Sequence, residues 1–252
     1  MKDTVYHIPG APYLALVADL HGDEGQEVIR SLRCHRPSLI CIPGDLIRGS
    51  CPGKDVSPLV SQPSVLPFLK KCADVAPTFL SMGNHEQGMD TEDLEAIGKT
   101  GVTILDQSFT VRDGLVLGGL TSACVLGYRR AKEASDLRYP KLSPDTRLIR
   151  VPETDWLESF AASPGYHILL SHHPEYYPSI SGFADLILSG HAHGGQWRFF
   201  GHGLYAPGQG FWPRYTRGVY EGRMVVSAGI SNPEWCPRLF NPTEVVYINE
   251  PG

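Results

Sequence analysis

Short apolar segments recur along the chain, and each of them ends in polar residues. They are rich in strand-forming residues with almost no polar interruption, which is typical of strands buried on both faces. The five segments are YLALVADLH from residue 13, SLICIPGD from residue 38, PTFLSMGNH from residue 77, YHILLSHH from residue 166 and ADLILSGHAH from residue 184. We predict that they form buried strands and that function lies at their polar ends.

The rest of the pattern predicts how these strands are connected. Helical stretches at residues 24–36, 65–73 and 91–99 make the first half alternate between strand and helix. Beyond residue 101 the pieces VTILDQ, FTVRDG and LVLGGL predict a strand meander with a hairpin turn at Asp113-Gly114. A second strand-rich region, with GVYEGRMVVSAG and TEVVYINE, follows residue 200. Two facing sheets would bury both apolar sets, so the pattern favours a layered sandwich with outer helices.

Length and charge narrow the class of protein. The chain has 252 residues, of which 42% are hydrophobic, and no linker divides it, so we predict one domain over residues 1–252. A net charge of -5 argues against duplex nucleic acid as a partner. No apolar run approaches the roughly 20 residues that span a bilayer, and we see no leader, so we expect a cytoplasmic protein without a transmembrane segment. The six cysteines lack the CxxC spacing of zinc sites and show no disulfide framework.

Residues 125–151 differ from their surroundings, because they are dense in charge and tyrosine and poor in strand pattern. A long irregular insertion of this kind is either a segment that caps a substrate site or a solvated helix and loop. The sequence leaves both interpretations open.

Residue types that bind metals follow all five predicted strands. A single histidine or acidic residue is weak evidence for a metal site, but such residues at the ends of five strands together favour one. The candidates are Asp19 and His21 in DLH, Asp45 in GD, Asn84 and His85 in GNH, His172 and His173 in SHHP, and His191 and His193 in GHAH. Alternate side chains of an extended segment point the same way, so we expect the two ends of DxH, and the two histidines of GHxH, to act as pairs.

The types and number of donors indicate a particular metal centre. Imidazole together with carboxylate suits manganese, iron or zinc, whereas magnesium and calcium sites are dominated by oxygen ligands. Seven separated donors are too many for one tetrahedral centre, but two ions that share a carboxylate would use all of them. We therefore predict a binuclear site for two divalent transition-metal ions and leave their identity open among these three metals.

The order DxH, GD, GNHE, HxP and GHxH resembles the calcineurin-like metallophosphoesterase family, over residues 13–232. GHAHGGQ and the following GLYAPGQGFWPRYTRGVY resemble, more narrowly, bacterial phosphodiesterases of the YkuE and YaeI type. The resemblance implies an α/β (α+β) fold, a four-layer αββα sandwich in which two facing mixed sheets are flanked by helices. It also implies a binuclear metal-dependent phosphohydrolase acting on a small phosphorylated substrate, with a phosphodiesterase as the favoured class.

The resemblance assigns roles to the site residues. One ion would be bound by Asp19, His21 and His193, the other by Asn84, His172 and His191, with Asp45 as the bridge. His85 would be the catalytic residue that contacts the phosphate and protonates the leaving oxygen, and a hydroxide shared by the ions would be the nucleophile. His173 would lie outside the ligand set.

Two questions stay open at this stage. Many relatives carry an aspartate three residues after the bridging acid, where it orients the catalytic histidine, but this chain has Arg48 there. Arg48 either binds the substrate phosphate together with Asn84 and His85, or faces solvent. A phosphomonoesterase or a nucleotide or nucleotide-sugar pyrophosphatase would use the same metals, and a non-catalytic binding scaffold is a remote alternative.

Overall fold

Two mixed six-stranded sheets face each other in the structure, a computed structural model that describes residues 1–49, 59–133, 153–232 and 237–250. In chain order the strands are β1 Lys2–His7, β2 Leu14–Leu16, β3 Leu39–Ile42, β4 Thr78–Leu80, β5 Thr103–Ile104, β6 Ser108–Arg112, β7 Leu115–Leu120, β8 Tyr166–Ser171, β9 Leu186–Ser189, β10 Arg198–Phe199, β11 His202–Gly203, β12 Tyr205–Ala206, β13 Gly210–Phe211, β14 Gly218–Tyr220, β15 Met224–Val226 and β16 Glu244–Asn249. The α-helices are α1 Gln26–His35, α2 Val65–Ala73, α3 Thr91–Gly98, α4 Ala123–Glu133, α5 Trp156–Ala162 and α6 Tyr177–Ile180.

The strands with nearly continuous apolar sequence lie inside these sheets. The first sheet has the order β1-β16-β2-β3-β4-β5, and the second has the order β14-β15-β9-β8-β7-β6. β2, β3 and β4 run parallel to one another, as do β7, β8 and β9. Each of the five predicted strands therefore has a hydrogen-bonded neighbour on both edges and lies inside its sheet.

Side chains that alternate across the sheets form three apolar layers. Ile40 of β3 packs with Phe68 of α2 in the layer between the first sheet and its helices. Its neighbour Leu39 points the other way and packs with Leu170 between the two sheets. Phe160 of α5 lies in the third layer, outside the second sheet. Three cores between four layers confirm the predicted αββα sandwich.

The helices confirm their predicted places. α2 has the predicted bounds, and α1 and α3 lie within one or two residues of theirs. The start of α3 is fixed by a capping box, in which the Asp93 N–H donates to the Asp90 carboxylate at 3.0 Å and the Asp90 N–H donates back to the Asp93 carboxylate at 3.3 Å. Such a box satisfies backbone donors that the first helical turn leaves without partners.

The predicted meander is wrong, although its hairpin is right. β6 and β7 pair antiparallel across Asp113-Gly114, whose φ angles of 50° and 78° suit a two-residue hairpin turn. β5, however, pairs with β4 in the first sheet, and β7 pairs in parallel with β8 in the second. The chain thus changes sheets between β5 and β6, and local sequence spacing does not encode that change.

Several sequence expectations concern residues at the margin of the described structure. α4 covers the start of the 125–151 segment, but residues 134–152 lie outside the described residues, so a capping role and a single domain over the full chain both stay predictions. Cys34, Cys41, Cys72 and Cys124 are free thiols, and all but Cys34 are buried, whereas residues 51 and 236 are not described. No helix in the described part of the chain is long and apolar enough to cross a bilayer.

Candidate metal centre

The predicted ligands meet between the two sheets, beyond the ends of the central strands. The loops after β2, β3 and β4 supply four of them, and the loops after β8 and β9 supply three. Each of the seven residues is at most 3% exposed; they are Asp19, His21, Asp45, Asn84, His172, His191 and His193. The structure therefore brings together all seven residues, although their separation in sequence reaches 174 positions from Asp19 to His193.

The ligand pairs are not carried by extended backbone, which corrects the sequence expectation. Asp19 and His21 have φ angles of 58° and 47°, and His191 and His193 have φ angles of 65° and 45°, all in the left-handed region. β2 and β9 end before these residues, so tight turns replace the strand geometry. The turn after β2 is tied to the next loop, since the His21 N–H donates to the Asp45 carbonyl at 3.0 Å.

Asp19, His21 and His193 form the first of two donor groups. Their potential ligand atoms all lie within 4.8 Å of one another. The Nε2 atoms of both histidines are 3.9 Å from the same oxygen, Oδ1 of Asp19. These separations exceed hydrogen-bonding distance but match donors that converge on one ion.

Asp45, His172 and His191 form the second group, again with ligand atoms within 4.8 Å of one another. Oδ2 of Asp45 lies 3.0 Å from Nε2 of His172 and 3.8 Å from Nε2 of His21 in the first group. Asp45 therefore lies between the two groups, in the position of a shared carboxylate. Asn84 is buried in the loop after β4, and the N–H of the next residue, His85, donates to Oδ1 of Asp45 at 3.0 Å.

Unpartnered polar atoms test whether these residues suit metal ions. Asp19 Oδ2, His21 Nε2 and Asn84 Oδ1 are buried and make no hydrogen bond within the described ranges. A buried polar atom without a partner costs about 1–3 kcal/mol, so several together in one cleft are unfavourable unless a cation binds them. The donor set of carboxylates, imidazoles and one amide oxygen fits two divalent ions.

Burial disfavours the charged form of each group, which favours the metal-binding form of the histidines and opposes that of the aspartates. It lowers the pKa of His21 to about 3 and the pKa of His191 well below its ordinary value, and it raises the pKa of Asp19 to about 7. Burial also acts to raise the pKa of Asp45, but the nearby imidazoles of His172, His85 and His21 together outweigh it and hold the pKa of Asp45 well below its ordinary value. Neutral imidazole and ionised carboxylate are the forms that bind metals.

Glu86 joins two of the ligand loops, and the sequence analysis gave it no role. Its buried carboxylate accepts hydrogen bonds from the backbone N–H groups of Gly83 at 2.7 Å, Asp45 at 2.9 Å and Leu46 at 2.7 Å. These bonds connect the loop after β3 with the loop after β4, and so fix Asp45 relative to Asn84. The available signal was the acid that directly follows GNH.

His85 lies at the accessible side of the cleft. Its side chain is 23% exposed, and its Nε2 atom is 3.8 Å from Asp45 Oδ2. The Gly49 N–H donates to its Nδ1 atom at 2.6 Å. This backbone bond orients the ring, the role that the sequence analysis could not assign because position 48 is an arginine. Arg48 itself is exposed, and its Nε–H donates to the carbonyl of His21 at 3.1 Å.

Two charged residues that sequence analysis missed lie near the GHxH histidines. Nη2 of Arg238 is 3.3 Å from Nδ1 of His193, and its Nη1–H donates to the carbonyl of Ala228 at 2.7 Å. Glu175 lies near His191, and burial raises the pKa of Glu175 to about 7. Arg238 follows His193 by 45 positions, so only the fold brings the two together.

Comparisons with known proteins agree with this centre. The family model for calcineurin-like phosphoesterases matches residues 13–195. An uncharacterized metallophosphoesterase of Campylobacter jejuni is 30% identical over 93% of this chain and 56% of its own length, so this chain spans about half of that relative. An uncharacterized metallophosphoesterase of Aquifex aeolicus is 23% identical over 100% of this chain and 87% of its own length.

A solved structure supports the same fold. The crystal structure of a dimetal phosphatase from Danio rerio covers 86% of this chain and 87% of its own, with a TM-score of 0.50 and 15% identity. The family model covers well over half of the chain, and its range contains the six residues of the two donor groups as well as Asn84. The chain therefore belongs to the calcineurin-like phosphoesterase family.

Proposed function

We propose that the protein is a binuclear metal-dependent phosphohydrolase that cleaves a small phosphodiester. The observation that carries the proposal is the pair of buried donor groups that meet at Asp45. We assign Asp19, His21 and His193 to one ion and Asn84, His172 and His191 to the other, with Asp45 shared. Manganese, iron or zinc suits this mixture of imidazole and carboxylate.

The ions and the protein would have different roles in catalysis. Two bound ions would polarise the phosphate ester and lower the pKa of an attacking water. The protein holds the reacting groups in place through its buried carboxylates and through Asn84. Because the Gly49 N–H donates to Nδ1 of His85, the proton of the neutral ring lies on Nε2, the nitrogen nearer to Asp45. That N–H is placed to donate to a phosphate or leaving-group oxygen.

The substrate would meet Asn84, His85 and Arg48. Arg48 is exposed and is tied to the ligand loop through the carbonyl of His21, so its guanidinium is held near the edge of the centre. A planar guanidinium suits a phosphate with two oxygens available for hydrogen bonds. The preference for a diester rests on the resemblance of the GHAHGGQ region to YkuE-type phosphodiesterases, since a phosphomonoesterase would use the same donors.

Metal content and turnover test the proposal together. We expect chelated protein resupplied with manganese, iron or zinc to bind two ions and to hydrolyse bis-p-nitrophenyl phosphate faster than p-nitrophenyl phosphate. Asp45→Asn should lose both metal and activity, because its carboxylate serves both groups, whereas Asp74→Asn, an exposed change of the same kind, should lose neither.

The other outcomes separate the alternatives. Two bound ions with faster turnover of the monoester would keep the centre and move the substrate class to phosphomonoesters. Protein that binds no metal and has no turnover would refute the proposal in favour of a binding scaffold.

A further inference from the structure

A buried carboxylate faces one of the proposed ligands from outside the two donor groups. Oε1 of Glu175 lies 3.8 Å from Nε2 of His191, and the two side chains are 16% and 3% exposed. Both carboxylate oxygens of Glu175 and Nε2 of His191 are buried and make no hydrogen bond in the described part of the chain. An acceptor and a ring nitrogen without other described partners thus lie about one ångström beyond hydrogen-bonding distance of each other.

The fold puts Glu175 there through the same segment that carries His172. After His172 and His173 the chain enters a short 3₁₀ helix, Pro174–Tyr176, which contains Glu175. The ring centroids of His172 and His191 are 5.1 Å apart. The segment that supplies the proposed ligand His172 therefore also brings Glu175 close to the ring of His191.

His173 is the competing partner for Glu175. Its Nε2 atom lies 2.8 Å from the hydroxyl oxygen of Ser122, with which it forms a hydrogen bond. His173, Glu175 and His191 offer ligand atoms within 4.8 Å of one another, and of the two histidines only His191 has a ring nitrogen within 4.0 Å of the Glu175 carboxylate in the described part of the chain. His191 is therefore the nearer partner, whereas His173 is held through Nε2 by Ser122 and its buried Nδ1 makes no described hydrogen bond.

We propose that Glu175 is a positioning residue for the metal centre. In the metal-loaded protein the 3.8 Å separation closes to a hydrogen bond that the Nε2–H of His191 donates to the Glu175 carboxylate, and this leaves Nδ1 of His191 as the nitrogen for the ion. A carboxylate on the second nitrogen of a ligand histidine fixes its tautomer, orients the ring and increases its basicity. The inference rests on the proposed function, because the ion that His191 would bind is one of the proposed pair.

Metal affinity and the tautomer of His191 test this role with two separate measurements. In zinc-loaded protein with ¹⁵N-labelled histidine, we expect His191 to carry its proton on Nε2, with the resonance assigned through its loss in His191→Asn. Glu175→Gln should weaken binding of one ion by about 10–100-fold and leave the other unchanged, measured by competition with a chromophoric chelator. Glu175→Asp should restore part of the loss, because it keeps the carboxylate.

A matched control separates the contact from a general change in charge. Glu158→Gln removes an exposed carboxylate from α5 and should leave both affinities unchanged. If Glu175→Gln does not fold, the tautomer of His191 in the wild-type protein is sufficient to test the proposal. A proton on Nδ1 of His191 would overturn it. Three ions per chain, with the third bound by His173, Glu175 and His191, would also overturn it.

The failure of this inference is distinct from failure of the proposed function. Wild-type protein with two ions and a Glu175→Gln variant of equal affinity would remove the role of Glu175 and leave the phosphohydrolase intact. Wild-type protein that binds no ion would remove both.

Discussion

Most of the proposed ligands have left-handed backbone conformations, which direct their side chains from separate loops into one cleft. Five of the seven proposed ligands have φ between 45° and 65°, namely Asp19, His21, Asp45, His191 and His193. A non-glycine residue in this region costs about 1–3 kcal/mol and persists only where its surroundings hold it. Here they do, since the His191 N–H donates to Oδ1 of Asp19 at 3.1 Å across the two sheets. The residue types could be found in the sequence, but this conformation could not, because such strain comes from tertiary contacts.

Replacement of His85 should separate chemistry from metal binding. We expect His85→Asn to lower kcat by about 10²–10⁴-fold while two ions stay bound, because the ring acts on the substrate and its proton, and belongs to neither donor group proposed as ligands. The measurement is steady-state hydrolysis of bis-p-nitrophenyl phosphate with metal analysis of the same samples. His202→Asn, an exposed change on β11, is the control. Loss of metal in His85→Asn, or an unchanged kcat, would contradict the assignment.

At the level of elements, the loops after β3 and β4 act as one unit. Glu86 bonds to backbone N–H groups in both loops, and a Cβ atom on Gly83 would lie only 2.2 Å from Oδ1 of Asp45. A side chain at position 83 is therefore excluded by the carboxylate proposed to bridge the ions. The turn glycine was visible in the sequence, whereas the loop that it contacts was not.

Removal of the charge on Glu86 should loosen this unit. Glu86→Gln replaces one acceptor oxygen with an amide donor that faces backbone N–H groups, so we expect the free energy of unfolding to fall by at least about 1.5–3 kcal/mol. Urea unfolding of the metal-free protein measures the change, and ion affinity should fall with it because Asp45 and Asn84 lose their fixed relation. Glu92→Gln, on the exposed face of α3, should change neither quantity. Equal stability of Glu86→Gln and wild type would show that the backbone bonds do not depend on the carboxylate.

Whether an element could be predicted from the sequence depends on how it is stabilised in the fold. β3, β4, β8 and β9 are mostly buried on both faces, so their sequences are mainly apolar and predict strands without any knowledge of partners. β1 is an edge strand with mostly exposed side chains, and nothing in its composition separates it from a loop. The sheet to which β5 belongs depends on pairing with distant residues, which local periodicity does not report.

For the whole molecule, the proposed metal centre exists only where both sheets are packed together. The loops of the first sheet supply Asp19, His21, Asp45 and Asn84, and those of the second supply the three histidines proposed as ligands. The apolar layer between the sheets, including Leu39 and Leu170, therefore sets the distance between the two halves of the centre. The order of the motifs identified the family and with it this arrangement, but the strand pattern alone could not say which strand ends face one another. Ions that bind only the packed state stabilise it by mass action.

Acid should remove that stabilisation. Burial raises the pKa of Asp19 to about 7. Burial acts to lower the pKa of His172, but the carboxylates of Asp45, Asp19 and Glu86 together outweigh it and raise that pKa to about 9. Below these pKa values the metal-free centre holds protons that an ion must displace, so affinity is highest at alkaline pH and falls as the pH drops through 7. We expect apparent affinity for zinc or manganese to fall on the order of a hundredfold or more between pH 8 and pH 6, at about tenfold per pH unit for each displaced proton.

Two titrations check this linkage in one protein. Chelator competition at pH 6, 7 and 8 should give the fall in affinity, and the increase in Tm caused by a fixed ion concentration should shrink in parallel, because ligand stabilisation depends on concentration relative to Kd. In Asp45→Asn, which should not hold the ions, Tm should be independent of added metal at every pH. An ion affinity that is constant from pH 8 to pH 6 would mean that neither Asp19 nor His172 releases a proton on binding, and would remove them from the ligand set.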